Sequence, residues 1–338
     1  ATVITMGNRN LAWQRTWQQN YGVDMTLWKG RIDISADYYI KTSKDVLTSV
    51  TLAPSLGFSS YMDNLGEVEN RGYELSLRAT LIRNQAKKIF WSINGSAIHN
   101  KNKLLKISNA LKAYNEIQDK EADANKNDFS TSEWENMTSI NRPRVRYVEG
   151  ASMNSIWVNH SLGIDPATGN ELFTDRNGRI VSDWSSDNYV IGGCTDPDLE
   201  GIFGTNFTWK GLSLNMTFRY RIGGQMYNQT LVDKVQDIDP RYNADKRAFE
   251  QRWQKPGDKV RFAAFSEDSQ GINIGYRTKP TSRFVEDYNY LELATLNFSY
   301  EFGTAKLKRY GIKRLKAMFY MNDVFHASNV KQERGIDY

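Results

Sequence analysis

The chain has 338 residues, of which 40% are hydrophobic and 12% aromatic, and its 44 Lys and Arg against 39 Asp and Glu give a formal net charge of +5. This composition excludes a disordered chain, and no Lys/Arg run suggests nucleic-acid binding. The single cysteine, Cys194, excludes an internal disulfide and a cysteine-based zinc site. No apolar run approaches the roughly 18 residues of a membrane-spanning helix, but a membrane barrel stays possible because its strands alternate apolar and polar residues.

Period-two alternation is the main pattern along the chain. Residues 32–40 place Ile, Ile, Ala, Tyr and Ile on one face and Asp, Ser, Asp and Tyr on the other, and residues 73–81, 212–220 and 294–302 alternate in the same way. Such alternation indicates a strand with one apolar face. Eight strands of bilayer-crossing length are predicted, near 19–28, 31–46, 68–82, 88–105, 201–209, 211–224, 284–302 and 313–326.

Short and long connections alternate between these strands. The short ones lie near 28–30, 84–87 and 210–211, and the long ones span 47–67, 106–200 and 225–283. Tight periplasmic turns and long extracellular loops are typical of outer-membrane barrels. We therefore predict an all-β protein, an antiparallel transmembrane β-barrel segment with long extracellular loops.

The long connections have predicted structure of their own. Within 106–200, the segments 152–164 and 170–181 are predicted to pair as strands inside one outer loop, with Asp175 to Gly178 as a hairpin tip. Helix-like composition marks 108–122 and 229–252. Two hairpin turns are the favoured interpretation of Asp165 to Asn170 and Asp175 to Gly178, and a calcium-binding loop is the alternative.

Chemistry-bearing motifs are scarce. No phosphate-binding glycine loop, nucleophile elbow or assignable glycosidase carboxylate pair is present, so we predict no enzymatic activity, no metal and no cofactor. The candidate ligand-binding residues are aromatic side chains expected to be exposed in the outer loops, where neighbouring Asp and Asn could bond a sugar stacked on the ring. These candidates are Trp134, Trp157, Trp184 and Tyr189. Packing inside a folded loop is the alternative for each of them.

Residues 64–74 read Asn-Leu-Gly-Glu-Val-Glu-Asn-Arg-Gly-Tyr-Glu, which resembles a hallmark of the SusC/RagA family of TonB-dependent outer-membrane transporters of Bacteroidota. Further motifs of that family are resembled, in family order, by residues 6–14, 163–169, 203–214, 284–293 and 322–325. The resemblance implies a barrel of about 22 strands around an N-terminal plug. It also implies import of oligosaccharides or peptides, with a SusD-like surface lipoprotein as lid and TonB as the energy source.

Within that family, residues 1–338 would form the C-terminal portion of the barrel, with the plug and the final strand absent. The expected partners are the remaining N-terminal part of the same transporter, the lipoprotein, TonB, the ligand and outer-membrane lipid, with no nucleic acid. The expected location is the cell outer membrane. Two other functions stay open, a non-energised structural or adhesive barrel and a secreted glycan-active all-β enzyme.

Overall fold

A computed structural model describes residues 7–9, 11–51, 60–64, 66–124, 141–238, 243–267, 273–274, 278–303 and 311–330. The strands are β1 (Arg15–Leu27), β2 (Ile32–Lys44), β3 (Leu47–Thr51), β4 (Ser60–Asn64), β5 (Gly66–Asn84), β6 (Ile89–Ile107), β7 (Ser155–Asn159), β8 (Ser161–Ile164), β9 (Glu171–Thr174), β10 (Ile180–Val181), β11 (Tyr189–Cys194), β12 (Leu199–Trp209), β13 (Leu212–Ile222), β14 (Gln225–Tyr227), β15 (Ser266–Glu267), β16 (Asn273–Ile274), β17 (Val285–Asp287), β18 (Tyr290–Glu301) and β19 (Lys316–Ser328). The helices are α1 (Asn109–Ala124), α2 (Gln229–Leu231), which continues as a π-helical turn over Val232–Gln236, and α3 (Arg247–Glu250). Single 3₁₀ turns lie at Ser186–Asn188 and Ser282–Phe284.

Eight long strands form one antiparallel sheet in the order β1-β2-β5-β6-β12-β13-β18-β19. All eight predicted spanning strands are therefore confirmed, and each pairs with the next long strand along the chain. The first begins earlier than predicted, at Arg15, where pairing with Lys44 starts. The seventh begins later, at Tyr290, because Val285–Asp287 pairs separately with Gln225–Tyr227.

The register of the strands gives the sheet one apolar and one polar face. On the apolar face, Phe203 lies opposite Phe218 with the two rings stacked at 4.8 Å. On the polar face, a row of asparagines crosses three strands through Asn206, Asn215 and Asn297. Because successive side chains of a strand point to opposite faces, this register keeps the two surfaces separate across the whole sheet.

Aromatic side chains form two rows across the strands. Trp28, Trp91 and Trp209 lie next to the short turns, and all three are exposed. Tyr21, Tyr38 and Tyr73 follow one another across three strands, at the middle of β1 and β2. Trp and Tyr in two rows are typical of barrel positions at the two membrane interfaces. No helix of the described residues is long and apolar enough to cross a membrane.

The long connections all leave the sheet at the end opposite the short turns and carry a second, compact unit, which we call the loop body (residues 141–198 and 225–289). Its core contains Leu231, Val232, Val235, Ala248 and Phe284, all buried. Helix α1 is the predicted helix near 108–122, whereas 229–252 contains only short helical pieces. A smaller cluster anchors α1 on the sheet, where Leu111 packs on Val68 and Leu104.

Candidate functional site

The polar face of the sheet contains an open concavity of about 510 Å³ at the end nearer the loops. Amide, hydroxyl and charged side chains line it, namely Gln18, Asn20, Asp37, Tyr39, Lys41, Asn70, Glu74 and Asn100. Three of them are linked by hydrogen bonds. The Tyr39 hydroxyl donates to Asn100 Oδ1 at 3.0 Å, and Asn100 Nδ2 donates to Asn70 Oδ1 at 3.5 Å. The wall therefore offers fixed hydrogen-bonding groups to a polar ligand.

Gly72 explains how the Tyr39 ring lies flat enough to reach Asn100. Gly72 is paired with Tyr39 across the strands. A Cβ atom on Gly72 would lie 2.8 Å from the Tyr39 hydroxyl oxygen and 2.1 Å from the carbonyl oxygen of His99. A glycine in the middle of a strand often marks such a close approach. The Arg-Gly-Tyr part of the motif at 64–74 thus has a structural reason.

A buried network of charged and polar groups holds the loop body together. The Arg252 guanidinium donates to the carbonyl oxygens of Ala248, Val235, Gln236 and Ala263 at 2.6 to 2.9 Å. These four hydrogen bonds use most of the five N–H donors of the guanidinium, which offsets the cost of burying the cation.

A buried ion pair connects the two long connections that make the loop body. Arg283 pairs with Glu171 at 2.8 Å, and Glu171 also accepts the Thr281 hydroxyl at 2.6 Å. Cys194 N–H donates to Gln225 Oε1 at 3.0 Å, a further link between the same connections. The loop body is therefore a packed unit above the sheet rather than a set of separate loops.

A second concavity, of about 580 Å³, lies in the loop body, and both charge signs are present on its lining. Arg142 and Asp233 face each other there at 3.7 Å. Asn141 Nδ2 donates to Asp233 at 2.9 Å and to Asp237 at 3.4 Å, and Gln229 donates to Asn141 Oδ1 at 2.9 Å. Burial raises the pKa of Asp237 to about 7, so this carboxyl group titrates near neutral pH.

Three of the four candidate aromatic residues, Trp157, Trp184 and Tyr189, lie in the described part of the chain and pack within the loop body. Trp157 and Trp184 are 8% and 6% exposed, so the prediction that they are exposed is wrong. The Trp184 ring meets Tyr189 edge-on at 5.4 Å, and its Nε1 donates to the Pro280 carbonyl at 3.1 Å. The Arg146 guanidinium lies 6.0 Å from Trp157 and 5.7 Å from Tyr189. An aromatic ring in a packed loop buries a large apolar area, and this packing accounts for the positions of these rings.

The structure thus brings Trp157, Trp184 and Tyr189 into one cluster, and burial raises the pKa of Tyr189. Trp134 lies outside the described residues. A ligand-binding role for the four aromatics stays a prediction. The residues that line the first concavity were not among the predicted site residues. The sequence contains a signal for them, because the short turns align the polar positions of neighbouring strands.

The two turn motifs of the loop body are hairpin turns, as the favoured interpretation predicted. The Asp165 carboxylate accepts Ala167 N–H at 3.0 Å and the Thr168 hydroxyl at 2.7 Å, and these bonds lower its pKa. Gly178 has a φ of +76° between β9 and β10. Within the described part of the chain, no group of three or more His, Cys, Asp and Glu could hold a metal ion.

Comparison with known proteins finds relatives with the same architecture and one matching family model. Residues 1–154 match the family model described as TonB dependent receptor-like, beta-barrel. A TonB-dependent receptor of Formosa agariphila is 26% identical over 96% of this chain. The chain is therefore similar to TonB-dependent receptors along nearly all of its length. The receptor SusC of Bacteroides thetaiotaomicron is 26% identical over 68% of it, which agrees with the SusC/RagA motifs.

The receptor fold is also seen in solved structures. The RagAB peptide transporter superposes with a TM-score of 0.74 over 97% of this chain at 20% sequence identity. This chain spans 33% of the Formosa relative, 21% of SusC and 33% of the RagAB chain. The chain thus spans between a fifth and a third of the length of these relatives. Its eight-stranded sheet forms part of an unclosed barrel wall. The relatives named here are TonB-dependent receptors and a peptide transporter.

Proposed function

We propose that this chain is the wall and outer-loop part of a TonB-dependent importer of oligosaccharides or peptides in the cell outer membrane. The observation that carries the proposal is the two-faced sheet. Its apolar face carries two aromatic rows, and its polar face leads to a hydrogen-bonding concavity beside the loop body. An apolar outer face suits lipid, and a polar inner face suits a wet lumen.

The proposed mechanism is conformational rather than chemical. A SusD-like lipoprotein would close over the loop body, which is proposed to lie outside the cell, and the ligand would be held in the cavity below. TonB would then act on an N-terminal plug, loosening the site so that the ligand passes inward. This chain would contribute the lumen wall and the surface that meets the lid. The rigidity of the loop body, through Arg252 and the Glu171–Arg283 pair, supports a fixed docking platform.

The ligand contacts are proposed to come from the inner-wall concavity. Its amide and hydroxyl groups can bond sugar hydroxyls as well as peptide groups, so both ligand classes stay in the proposal. Trp157, Trp184 and Tyr189 remain proposed ligand contacts that require the loop body to open, and Trp134 remains a proposed ligand contact. The inner wall requires no such rearrangement.

Uptake by the whole protein tests the proposal. The gene is deleted in the source organism and restored as wild type, as Asn100→Leu in the concavity, or as Asn215→Leu on the same face outside it. Uptake of labelled oligosaccharides and peptides is measured with and without functional TonB. We expect TonB-dependent uptake of one ligand class, reduced by Asn100→Leu and kept by Asn215→Leu. Uptake that is unchanged by deletion, or that does not need TonB, contradicts the proposal.

A further inference from the structure

The short turns at one end of the sheet carry basic side chains and no acidic ones. None of the residues 28–31, 83–88 and 209–211 is Asp or Glu. We call their six cations the turn rim: Lys29, Arg31, Arg83, Lys87, Lys88 and Lys210. Six positive charges exceed the net charge of +5 of the whole chain. The sequence shows no continuous basic run, because the turns lie far apart along the chain and meet only in the fold.

The sheet topology places these turns side by side. Lys210 N–H donates to the carbonyl oxygen of Lys88 at 3.0 Å, which joins the second turn to the third. Thr80 N–H donates to the carbonyl oxygen of Arg31 at 2.7 Å, which joins the first turn to the strand that leads into the second. The six cations of the turn rim therefore lie side by side along one end of the sheet.

All six cations are exposed, and none of them forms an ion pair with any residue that the structure describes. The other end of the same strands differs. There Arg15 pairs with Asp45 at 3.1 Å and Lys44 pairs with Glu67 at 3.6 Å. At the turn end, the Glu301 carboxylate lies beside Gly211, but it pairs with Arg314 at 2.9 Å and leaves the six cations available to an external anion.

The backbone gives a second, independent observation. Each of the three turns holds a lysine in the left-handed region, with φ of 58° at Lys29, 51° at Lys88 and 47° at Lys210. Asparagine, aspartate and glycine adopt this conformation more easily than lysine. Each of the three turns therefore holds a lysine in a conformation that lysine does not favour, and Trp28 beside Lys29 shares that conformation with a φ of 50°.

We propose that the turn rim binds the phosphate groups of anionic phospholipids at the membrane interface. The rim continues directly from the exposed tryptophans Trp28 and Trp209, and the Lys210 ammonium lies 5.3 Å from the Trp209 ring. Tryptophan marks the headgroup level, and long basic side chains reach from there to lipid phosphates. A basic cluster beside a membrane-embedded surface attracts anionic lipid. The inference rests on the proposed function only in placing the apolar face in lipid.

The test compares lipid retention by the full-length protein, purified in detergent and mixed with equal amounts of phosphatidylglycerol and phosphatidylethanolamine. Native mass spectrometry counts the lipids that stay bound. The test variant is Lys29→Asn/Lys88→Asn/Lys210→Asn, which removes three charges and suits the left-handed backbone, so the fold is retained. Lys29→Arg/Lys88→Arg/Lys210→Arg keeps the charge. Lys101→Gln/Lys103→Gln removes two exposed cations at the opposite end.

We expect the wild type to retain phosphatidylglycerol in preference, and the asparagine variant to lose that preference by about 10-fold or more. The arginine variant and the Lys101/Lys103 variant should behave as wild type. A wild type without preference, or an equal loss in the Lys101/Lys103 variant, overturns the proposal. Binding of inorganic polyphosphate without enrichment of phosphatidylglycerol would identify a soluble polyanion instead and would overturn the lipid assignment. The lipid-retention test contains neither the transported ligand nor TonB. A negative result in it therefore does not contradict the transport proposal, and a negative result in the uptake test does not contradict the lipid proposal.

Discussion

At the scale of single residues, Gly72 is a position on the polar face of the sheet that leaves no space for a larger side chain. A methyl group there would lie 2.1 Å from the backbone carbonyl oxygen of His99, which cannot move without breaking the strand pairing. We expect Gly72→Ala to destabilise the folded protein by about 1–3 kcal/mol. Gly95 is the matched control in the neighbouring strand, because its nearest contact for a methyl group is 3.6 Å.

The measurement is the urea midpoint of the full-length protein folded into lipid vesicles, followed by the shift of the folded band on unheated gels. Gly95→Ala should keep the wild-type midpoint within error. Equal midpoints for Gly72→Ala and Gly95→Ala would show that the close approach does not constrain the wall.

A second residue-scale prediction concerns Asp237. Burial raises its pKa to about 7, although Thr278 N–H donates to both carboxylate oxygens at 3.0 and 3.1 Å. Since an unfolded aspartate titrates near pH 4, only the folded state holds this proton between about pH 4 and 7. The stabilisation is therefore complete below about pH 4 and is lost as the pH rises through 7. The groups that act on the Asp237 carboxyl also include Asp233, Asn141 and the positively charged Arg252.

Hydrogen exchange of the loop-body amides at pH 5 and pH 8 measures this effect, after correction for intrinsic exchange. We expect the opening free energy of the wild type to fall with pH by up to a few kcal/mol. Asp237→Asn imitates the neutral acid and should flatten the dependence. An unchanged pH slope in Asp237→Asn would assign the effect to another group.

At the scale of elements, strand β13 tests the assignment of the two faces. Leu214 lies on the apolar face opposite Phe207 and Phe298, and Asn215 lies on the polar face. Near the middle of a bilayer, an arginine on the lipid face costs about 2–4 kcal/mol, whereas a lumen position costs little. We therefore expect Leu214→Arg to impair membrane insertion far more than Asn215→Arg. Equal yields of folded protein from the two variants would argue against a membrane barrel.

The orientation of the elements is tested by labelling with a membrane-impermeant maleimide, in a Cys194→Ser background. Asn177 is exposed at the tip of the β9–β10 hairpin, and Ala86 is exposed in the second short turn. We expect Asn177→Cys to be labelled on intact cells and Ala86→Cys only after permeabilisation. The opposite pattern would place the loop body on the periplasmic side.

The eight wall strands could be predicted from the sequence because alternation and short turns are local signals. The strand that was predicted to begin at 284 shows the limit. Val285 to Asp287 has strand propensity, but its partner is β14, and such pairing depends on residues about 60 positions away. The expected exposure of Trp157 and Trp184 was wrong for a similar reason. Whether Trp157 and Trp184 face solvent depends on Arg146, Pro280 and Tyr189, which the fold alone brings together.

At the scale of the whole molecule, the sheet has two open edges, because β1 and β19 each pair with one neighbouring long strand. Backbone N–H and C=O groups without partners cost several kcal/mol each in lipid. We therefore predict that, in the membrane, both edges are paired with further strands of one closed barrel. The exposure of every residue of β1 in the segment agrees with an edge that awaits a partner.

The most direct test of this account is gentle purification of the protein that contains this chain from native membranes, followed by structure determination of whatever is recovered. The account predicts a detergent-dependent assembly in which β1 and β19 are hydrogen-bonded to further strands of the same barrel. A separate lipoprotein should contact the loop body. A lone species of about 39 kDa, monodisperse in buffer without detergent and with both sheet edges open to water, would contradict the barrel and the transporter together.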